Sequence, residues 1–220
     1  MNLMKNNIDL QSLAEQLSCP NGNEGIEVGE QMSESNFGMT KTTIDHLQLQ
    51  NQEQILELGH GNCKHLPYIL NQAKGLEYIG LELSQVMKNS AIMNNSDYLN
   101  SNIRFEIIMD ERIHFYEKRF DKIFTVNTIY FWKNPKLFLS EIYRVLKFNG
   151  KFALTFAKKE FMETLPFTQF GFNLYTEDEV IKLLKSAKFS IEDTKTFSES
   201  VISKAGEKVE REYSIIIAKK

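Results

Sequence analysis

Short apolar segments alternate with amphipathic segments from Gln54 onward, and this alternation restricts the fold more than any other feature of the chain. Ile55–Leu58 is the first strand-like segment, and a segment with apolar residues at helical spacing follows it. Strand-like segments recur at residues 78–81, 103–109, 122–126 and 152–156. Because strands joined by crossover helices run parallel, the pattern predicts a parallel sheet with helices on both faces.

The last two strand-like segments break this alternation. Residues 189–196 and 210–218 have no helix-like segment between them. Two strands joined directly pair as an antiparallel hairpin. The sequence therefore predicts an α/β fold with a seven-stranded, mostly parallel sheet and a C-terminal antiparallel hairpin.

Polar residues mark the ends of several predicted helices. Ser84 is a suitable N-cap, Asn134-Pro135 places an N-cap before a proline, and Thr176 with Glu179 is typical of a capping box. Asn149-Gly150 has the composition of a helix end. The helix that begins after Asn134 is therefore expected to continue to Asn149.

The N-terminal part of the chain differs from the rest. Residues 1–20 have apolar side chains at helical spacing, whereas Asn21–His46 holds four of the eleven glycines and many polar residues. Such a segment is expected to be a mobile arm or a lid over a site. We therefore divide the chain into a helical arm or lid at residues 1–46 and one large domain at residues 47–220.

Charge and composition exclude several functional classes. The net charge is −3, without the positive excess that nucleic-acid binding requires, and no apolar run is long enough to span a bilayer. The N-terminus has no signal-peptide pattern, and Cys19 and Cys63 have neither metal-ligand nor redox spacing. We expect a cytoplasmic protein that binds no metal, does not bind nucleic acid and does not insert into membranes. The choice between monomer and homodimer stays open.

A glycine loop follows the first predicted strand, in the sequence Leu58-Gly59-His60-Gly61-Asn62. Glycines at such a turn let the backbone approach a ligand, and ligands of doubly wound folds bind at the carboxyl ends of the strands. Glu82 ends the second predicted strand, where a carboxylate can accept hydrogen bonds from ribose hydroxyls. Either feature alone is typical of an ordinary turn or a solvated acid, but together they favour a ligand that contains adenosine.

A nicotinamide or flavin dinucleotide is one alternative for that ligand. Its fingerprint requires a third glycine three residues after Gly61, and the chain has Lys64 there. A dinucleotide-dependent oxidoreductase is therefore disfavoured.

The chain from Gln54 to Phe156 resembles the class I S-adenosylmethionine-dependent methyltransferases, in particular the small-molecule "type 11" group that includes ubiquinone and menaquinone biosynthesis enzymes. The resemblance rests on Glu57-Leu58-Gly59-His60-Gly61, on Gly80-Leu81-Glu82-Leu83-Ser84, on the segment from Phe120 to Trp132, and on Arg144 to Lys151. It implies a Rossmann-like sheet and S-adenosylmethionine as the cofactor. The cofactor-binding residues that it implies are Glu57, Gly59, His60, Gly61, Glu82, Leu83, Asp110, Glu111 and Asn127.

One position departs from this family. Cys63 stands where members often have a third small residue. We expect helical backbone angles at Cys63, so that glycine is not required there.

The methyl acceptor is expected to be a small molecule. Met39 lies in a segment that resembles the N-terminal lid of related enzymes, and Tyr130 and Trp132 follow the fourth strand at the ligand side of the sheet. These three residues are the predicted acceptor contacts. The long, phenylalanine-rich connection at residues 157–175 is predicted either to cover the acceptor or to pack on the sheet edge.

No catalytic group is assigned from the sequence. His60 is expected to be a packing or solvent-facing residue, and His114 a surface residue. Methyl transfer needs alignment more than a base, so the absence of a triad does not argue against it. A catalytically silent domain that binds S-adenosylmethionine as a sensor is the alternative from another class.

Overall fold

The computed structural model describes residues 9–202 and 208–220, so the first eight residues of the predicted arm lie outside it. A seven-stranded sheet forms the centre of the fold, in the order β3-β2-β1-β4-β5-β7-β6. β1 to β5 pair in parallel, and β7 runs antiparallel to both β5 and β6. The predicted sheet and its C-terminal hairpin are therefore confirmed. The strands are β1 (Gln54–Leu58), β2 (Glu77–Glu82), β3 (Ile103–Ile107), β4 (Phe120–Val126), β5 (Leu146–Ala157), β6 (Ser190–Ile202) and β7 (Lys208–Lys219).

Helices cover both faces of the sheet. Side chains of α5 and α7 share one buried cluster with the sheet, and side chains of α2, α3 and α4 share the other. In the part of the chain that the structure describes, no helix combines the length and apolar character needed to cross a membrane. The helices are α1 (Leu10–Ser18), α2 (Gly22–Leu47), α3 (Leu66–Leu70), α4 (Gln85–Asn94), α5 (Pro135–Val145), α6 (Lys159–Met162) and α7 (Glu177–Ser186).

The predicted N-caps are confirmed. The side chains of Ser84 and Asn134 accept hydrogen bonds from backbone N–H groups in the first turns of α4 and α5. Thr176 and Glu179 form the reciprocal capping box of α7. These caps satisfy donors that a helix leaves unpaired at its N-terminus, which is why they could be predicted from local sequence.

The predicted end of α5 at Asn149-Gly150 is wrong. The helix ends at Val145, and Leu146 already pairs with Phe120 of β4. Leu146 is fully buried, so the chain enters the sheet where this side chain can reach the core. Asn149, with φ of +63°, lies in the irregular stretch where the register of β4 and β5 shifts.

The glycine-rich segment forms a continuous 26-residue helix, α2. Glycine lowers helix propensity by about 1 kcal/mol relative to alanine, so the composition alone argues against a helix there. Three of these glycines instead make room for neighbours, because a Cβ at Gly25, Gly29 or Gly38 would collide with Pro20, Met87 or Glu199 respectively. Close packing on the domain therefore stabilises α2. The division of the chain at residue 46 into an arm or lid and a domain stays a prediction.

Candidate functional site

A large cavity opens at the carboxyl ends of the parallel strands, with α2 as its opposite wall. Its volume is about 1660 Å³. Binding sites for one small ligand commonly measure about 300–1000 Å³. The cavity therefore has room for two ligands side by side.

The glycine loop (residues 59–62) lies at the wall of this cavity. Gly59 and Gly61 have φ of +74° and +56°, a region that side-chain-bearing residues rarely adopt. A Cβ on Gly59 would lie 2.5 Å from Cγ2 of Thr128, whereas a Cβ on Gly61 would meet nothing within 4 Å. Gly59 is thus required for packing, and Gly61 leaves open space beside the backbone, as a ligand cradle requires.

We expect Gly59→Ala to destabilise the fold more than Gly61→Ala. Both changes place a Cβ at positive φ, which costs roughly 1–2 kcal/mol. Only alanine at Gly59 also collides with Thr128, and overpacking of this kind costs about 1–3 kcal/mol more. Urea denaturation, followed by the fluorescence of the single tryptophan, Trp132, measures both losses. Equal losses would show that the contact with Thr128 is unimportant.

Glu82 connects the end of β2 to the glycine loop. Its side chain is 7% exposed. Oε2 accepts a hydrogen bond from the Gly61 N–H at 2.8 Å, and Oε1 accepts from the Leu83 and Ser84 N–H groups at 2.8 and 3.1 Å. A carboxylate has about four acceptor positions, so roughly one remains for a ligand hydroxyl.

Glu57 faces the cavity wall, but its carboxylate is occupied by protein groups. His65 Nε2 donates to Oε1 and Oε2 at 3.0 and 2.9 Å, and the Tyr78 hydroxyl donates to Oε2 at 2.5 Å. Glu57 is 3% exposed. The contacts therefore place Glu57 beneath the loop, bonded to neighbours that sequence reasoning did not identify.

Cys63 has a left-handed backbone with φ of +48°, so the expectation of helical angles there is wrong. Its side chain is fully buried, and Sγ lies 3.2 Å from the Tyr78 hydroxyl. One candidate ligand atom from each of Glu57, Cys63 and His65 lies within 4.8 Å of the others. Spacing along the sequence gave no sign of this potential metal-ligand set, because the loop brings its members together only in three dimensions.

His60 is a packing residue. It is 3% exposed, its ring centroid lies 4.9 Å from that of Phe105, and the missing side chain of Gly80 makes room for it. Nδ1 lies 2.7 Å from the Gly61 carbonyl oxygen and therefore carries the proton that it donates. Burial lowers the pKa of His60, so the ring is neutral at physiological pH. His114 is exposed and does not line the cavity.

Asn127 ends β4 in a strained conformation, with φ of +57°. Its Oδ1 accepts from the Ala157 N–H and the Tyr130 hydroxyl, each at 3.1 Å. Its Nδ2 lies within hydrogen-bonding distance of Asn36 Oδ1 and of Met39 Sδ. Non-glycine residues in this region of φ often occur at functional sites, and Asn127 lines the cavity.

Tyr130 and Trp132 line the cavity while most of each side chain is buried, at 2% and 6% exposure. The Tyr130 hydroxyl lies 3.0 Å from the Ala157 carbonyl, and burial raises its pKa well above the ordinary range. Trp132 Nε1 donates to Thr128 Oγ1 at 3.2 Å, and its indole packs edge-on against Phe138. Both predicted acceptor contacts therefore contribute to the core as well as to the wall.

The remaining predicted site residues divide into two groups. Leu83, Asp110 and Glu111 line the cavity, and Leu83 is 49% exposed. Met39 does not line it, because its side chain is fully buried between α2 and the sheet. Phe37, two residues before Met39, lines the cavity from α2 and is 42% exposed.

Arg211 of β7 is a cavity residue that sequence reasoning missed. It is 7% exposed and donates to Glu199 Oε1 at 3.1 and 2.7 Å, to Asn36 Oδ1 at 2.9 Å and to the Ser35 carbonyl at 2.5 Å. These bonds tie α2 to the C-terminal hairpin. Asn36 and Arg211 are 175 positions apart, and no local pattern indicates their contact.

The aromatic segment (residues 157–175) packs on the sheet, which is one of the two alternatives that the sequence left open; its covering an acceptor stays a prediction. Phe161 and Phe172 pack on the sheet cluster, and Phe161, Phe167 and Phe172 line the cavity. The ring centroid of Phe172 lies 4.6 Å from that of Phe131 and 5.7 Å from that of Phe167. This part of the cavity is therefore walled by aromatic side chains that pack edge-on or tilted against one another.

Residues 56–154 match the protein family described as "Methyltransferase domain". The uncharacterized methyltransferase YdaC of Bacillus subtilis (strain 168) is 26% identical over 129 residues, which cover 59% of this chain and 70% of that protein.

Solved structures of methyltransferases have the same fold. A methyltransferase of Haloferax volcanii, in complex with the activator Trm112, superposes with a TM-score of 0.74 at 13% identity and covers 96% of this chain and 97% of its own. The phosphoethanolamine N-methyltransferase 2 of Haemonchus contortus, bound to phosphomonomethylethanolamine and S-adenosylhomocysteine, has a TM-score of 0.72 at 13% identity and covers 97% and 60%.

Proposed function

We propose that this chain is a class I S-adenosylmethionine-dependent methyltransferase and that it transfers the methyl group of its cofactor to a small, largely apolar molecule. The observation that supports the acceptor class is the aromatic part of the cavity, where Phe131, Phe167 and Phe172 line the wall. Aromatic and apolar walls with few polar groups are typical of sites for small organic ligands.

The cofactor end of the cavity fits S-adenosylmethionine. The open space beside Gly61 admits a ligand against the backbone, and the remaining acceptor position on Glu82 suits a ribose hydroxyl. Leu83, half-exposed beside it, offers an apolar surface for the adenine, and Asp110 and Glu111 border the same region. When bound, S-adenosylmethionine supplies an activated methyl group on its sulfonium.

The role that we assign to the protein in the reaction is alignment. Asn127, Tyr130 and Trp132 form one hydrogen-bonded and packed wall at the end of β4, and Phe37 faces this region from α2. Holding two reactants in line can remove about 7–11 kcal/mol of a barrier. Tyr130 keeps its proton and His60 is neutral and buried, so neither group is assigned as a base.

A labelling experiment tests the acceptor class. The full chain is incubated with methyl-deuterated S-adenosylmethionine and separate small-molecule, RNA and protein fractions of a cell extract. We expect the label in an apolar metabolite below roughly 1 kDa, a size that suits a site of this kind. A label in RNA or protein alone would contradict the proposal.

A second measurement addresses the alternative that the domain only senses the cofactor. Phe37→Ala removes an aromatic ring from the wall of the proposed acceptor site and leaves Glu82 and the glycine loop unchanged. Turnover should therefore fall while the affinity for S-adenosylhomocysteine stays unchanged. Binding of the cofactor without label transfer to any fraction would favour the sensor instead.

A further inference from the structure

Four polar side chains form a buried quartet beneath the glycine loop: Glu57, Cys63, His65 and Tyr78. None of them is more than 9% exposed. Cys63 Sγ lies 3.8 Å from His65 Nε2 and 3.2 Å from the Tyr78 hydroxyl. Glu57 is the centre of the quartet, since it accepts from both His65 and Tyr78.

The quartet joins the elements that surround the glycine loop. Glu57 lies in β1 directly before the loop, Cys63 directly after it, His65 at the N-cap of α3, and Tyr78 in β2. Both ends of the loop are therefore fixed to one buried point. Between these ends, the loop is held by Glu82 Oε2, which accepts the Gly61 N–H at 2.8 Å, and by the buried His60 ring against Phe105.

Glu57 and His65 are an ion pair in the folded protein. Burial, the largest single influence, would lower the pKa of His65, but the charges and hydrogen bonds of Glu57 and Cys63 together outweigh it and raise that pKa well above the ordinary 6.5. Burial would raise the pKa of Glu57, but His65 and Tyr78 outweigh it and hold that pKa below 4.5. Removal of one partner would leave an uncompensated charge under the loop.

We propose that His65 and Tyr78 are positioning residues for S-adenosylmethionine: they hold the Glu57 carboxylate, and through it they fix the glycine loop in the conformation that binds the cofactor. Glu57 acts within this network and does not contact the cofactor itself. The inference concerns the cofactor site and is independent of which acceptor is methylated.

Isothermal titration of the full chain with S-adenosylhomocysteine tests the proposal. His65→Gln is expected to weaken binding about tenfold, the effect of one lost charge-assisted hydrogen bond. Tyr78→Phe is expected to weaken binding less. Tyr68→Phe is the matched control. Tyr68 lies in α3, the helix that His65 caps, and its hydroxyl donates to Asp45 at 2.5 Å, outside the quartet.

A double variant separates positioning from simple loss of packing. Glu57→Gln combined with His65→Gln removes both charges and allows an amide–amide hydrogen bond, so it should bind S-adenosylhomocysteine better than His65→Gln alone. If His65→Gln does not fold, Tyr78→Phe and the double variant carry the test.

Three results would overturn the proposal. The first is a lower melting temperature in His65→Gln with an unchanged Kd. The second is a Tyr68→Phe effect as large as that of Tyr78→Phe. The third is one equivalent of zinc in the purified chain that is absent from His65→Gln, which would make the quartet a metal site instead.

Discussion

Glu82→Ala is expected to weaken the binding of S-adenosylmethionine by at least about a hundredfold, while the sheet stays folded. The variant loses the proposed ribose contact, and it also leaves three backbone N–H groups without their charged acceptor. Hydrogen bonds to a charged group contribute about 1.5–3 kcal/mol each, and every 1.4 kcal/mol is about tenfold in Kd. The lost ribose contact and the lost hydrogen bond from the Gly61 N–H, which holds the glycine loop, together account for the expected loss of affinity.

Isothermal titration with S-adenosylhomocysteine measures this effect. Glu82→Gln keeps one acceptor oxygen and should lie between the alanine variant and the natural chain. Glu77→Ala is the matched control, because Glu77 is an acid at the opposite end of β2, does not line the cavity, and accepts a hydrogen bond from the Gln54 side chain at 2.9 Å. A Kd that does not change in Glu82→Ala would make Glu82 a structural acid only.

Arg211→Ala is expected to destabilise the fold by about 1–3 kcal/mol, the cost of leaving hydrogen-bonding groups without their partner, because Glu199 is 20% exposed and water can partly solvate its charge. Glu199 would lose its two hydrogen bonds from the guanidinium, and Asn36 and the Ser35 carbonyl would lose theirs. Since these bonds join α2 to the hairpin, turnover should fall together with stability. Urea denaturation and a methyl-transfer assay measure the two losses.

A second variant shows how much of this loss of stability comes from the Glu199 charge that Arg211→Ala leaves unpaired. Arg211→Ala combined with Glu199→Ala removes both charges and should recover part of the stability. Arg211→Lys keeps the charge without the planar fork and should be intermediate. Full stability in Arg211→Ala would mean that other contacts, such as the Thr43–Thr155 hydrogen bond at 2.7 Å, hold α2 on the domain alone.

The sequence by itself determined the frame of the fold. The order of strands and helices, the caps at Ser84, Asn134 and Thr176, and the hairpin at the end of the chain all follow from patterns a few residues long. The position of Glu82 beside the glycine loop also follows, because two neighbouring parallel strands end at the same edge of a sheet.

Only the tertiary structure decided how polar groups are paired. Glu57 lies where the motif predicts, but its partners His65 and Tyr78 could not be predicted from the sequence, because only the folded loop brings them to its carboxylate. Arg211 meets Asn36 across 175 positions in the same way. A side chain's hydrogen bonds depend on what approaches it in space, and periodicity along the chain contains no such information.

The backbone exceptions have the same cause. Cys63 has positive φ where its buried side chain meets Tyr78, and Asn149 has positive φ where the register of β4 and β5 shifts. The glycines of α2 lie in a helix because neighbouring segments need their space. In each case packing contributes more free energy than the local preference of one residue, so the sequence determined where helices and strands form and the tertiary structure determined which local preferences were overridden.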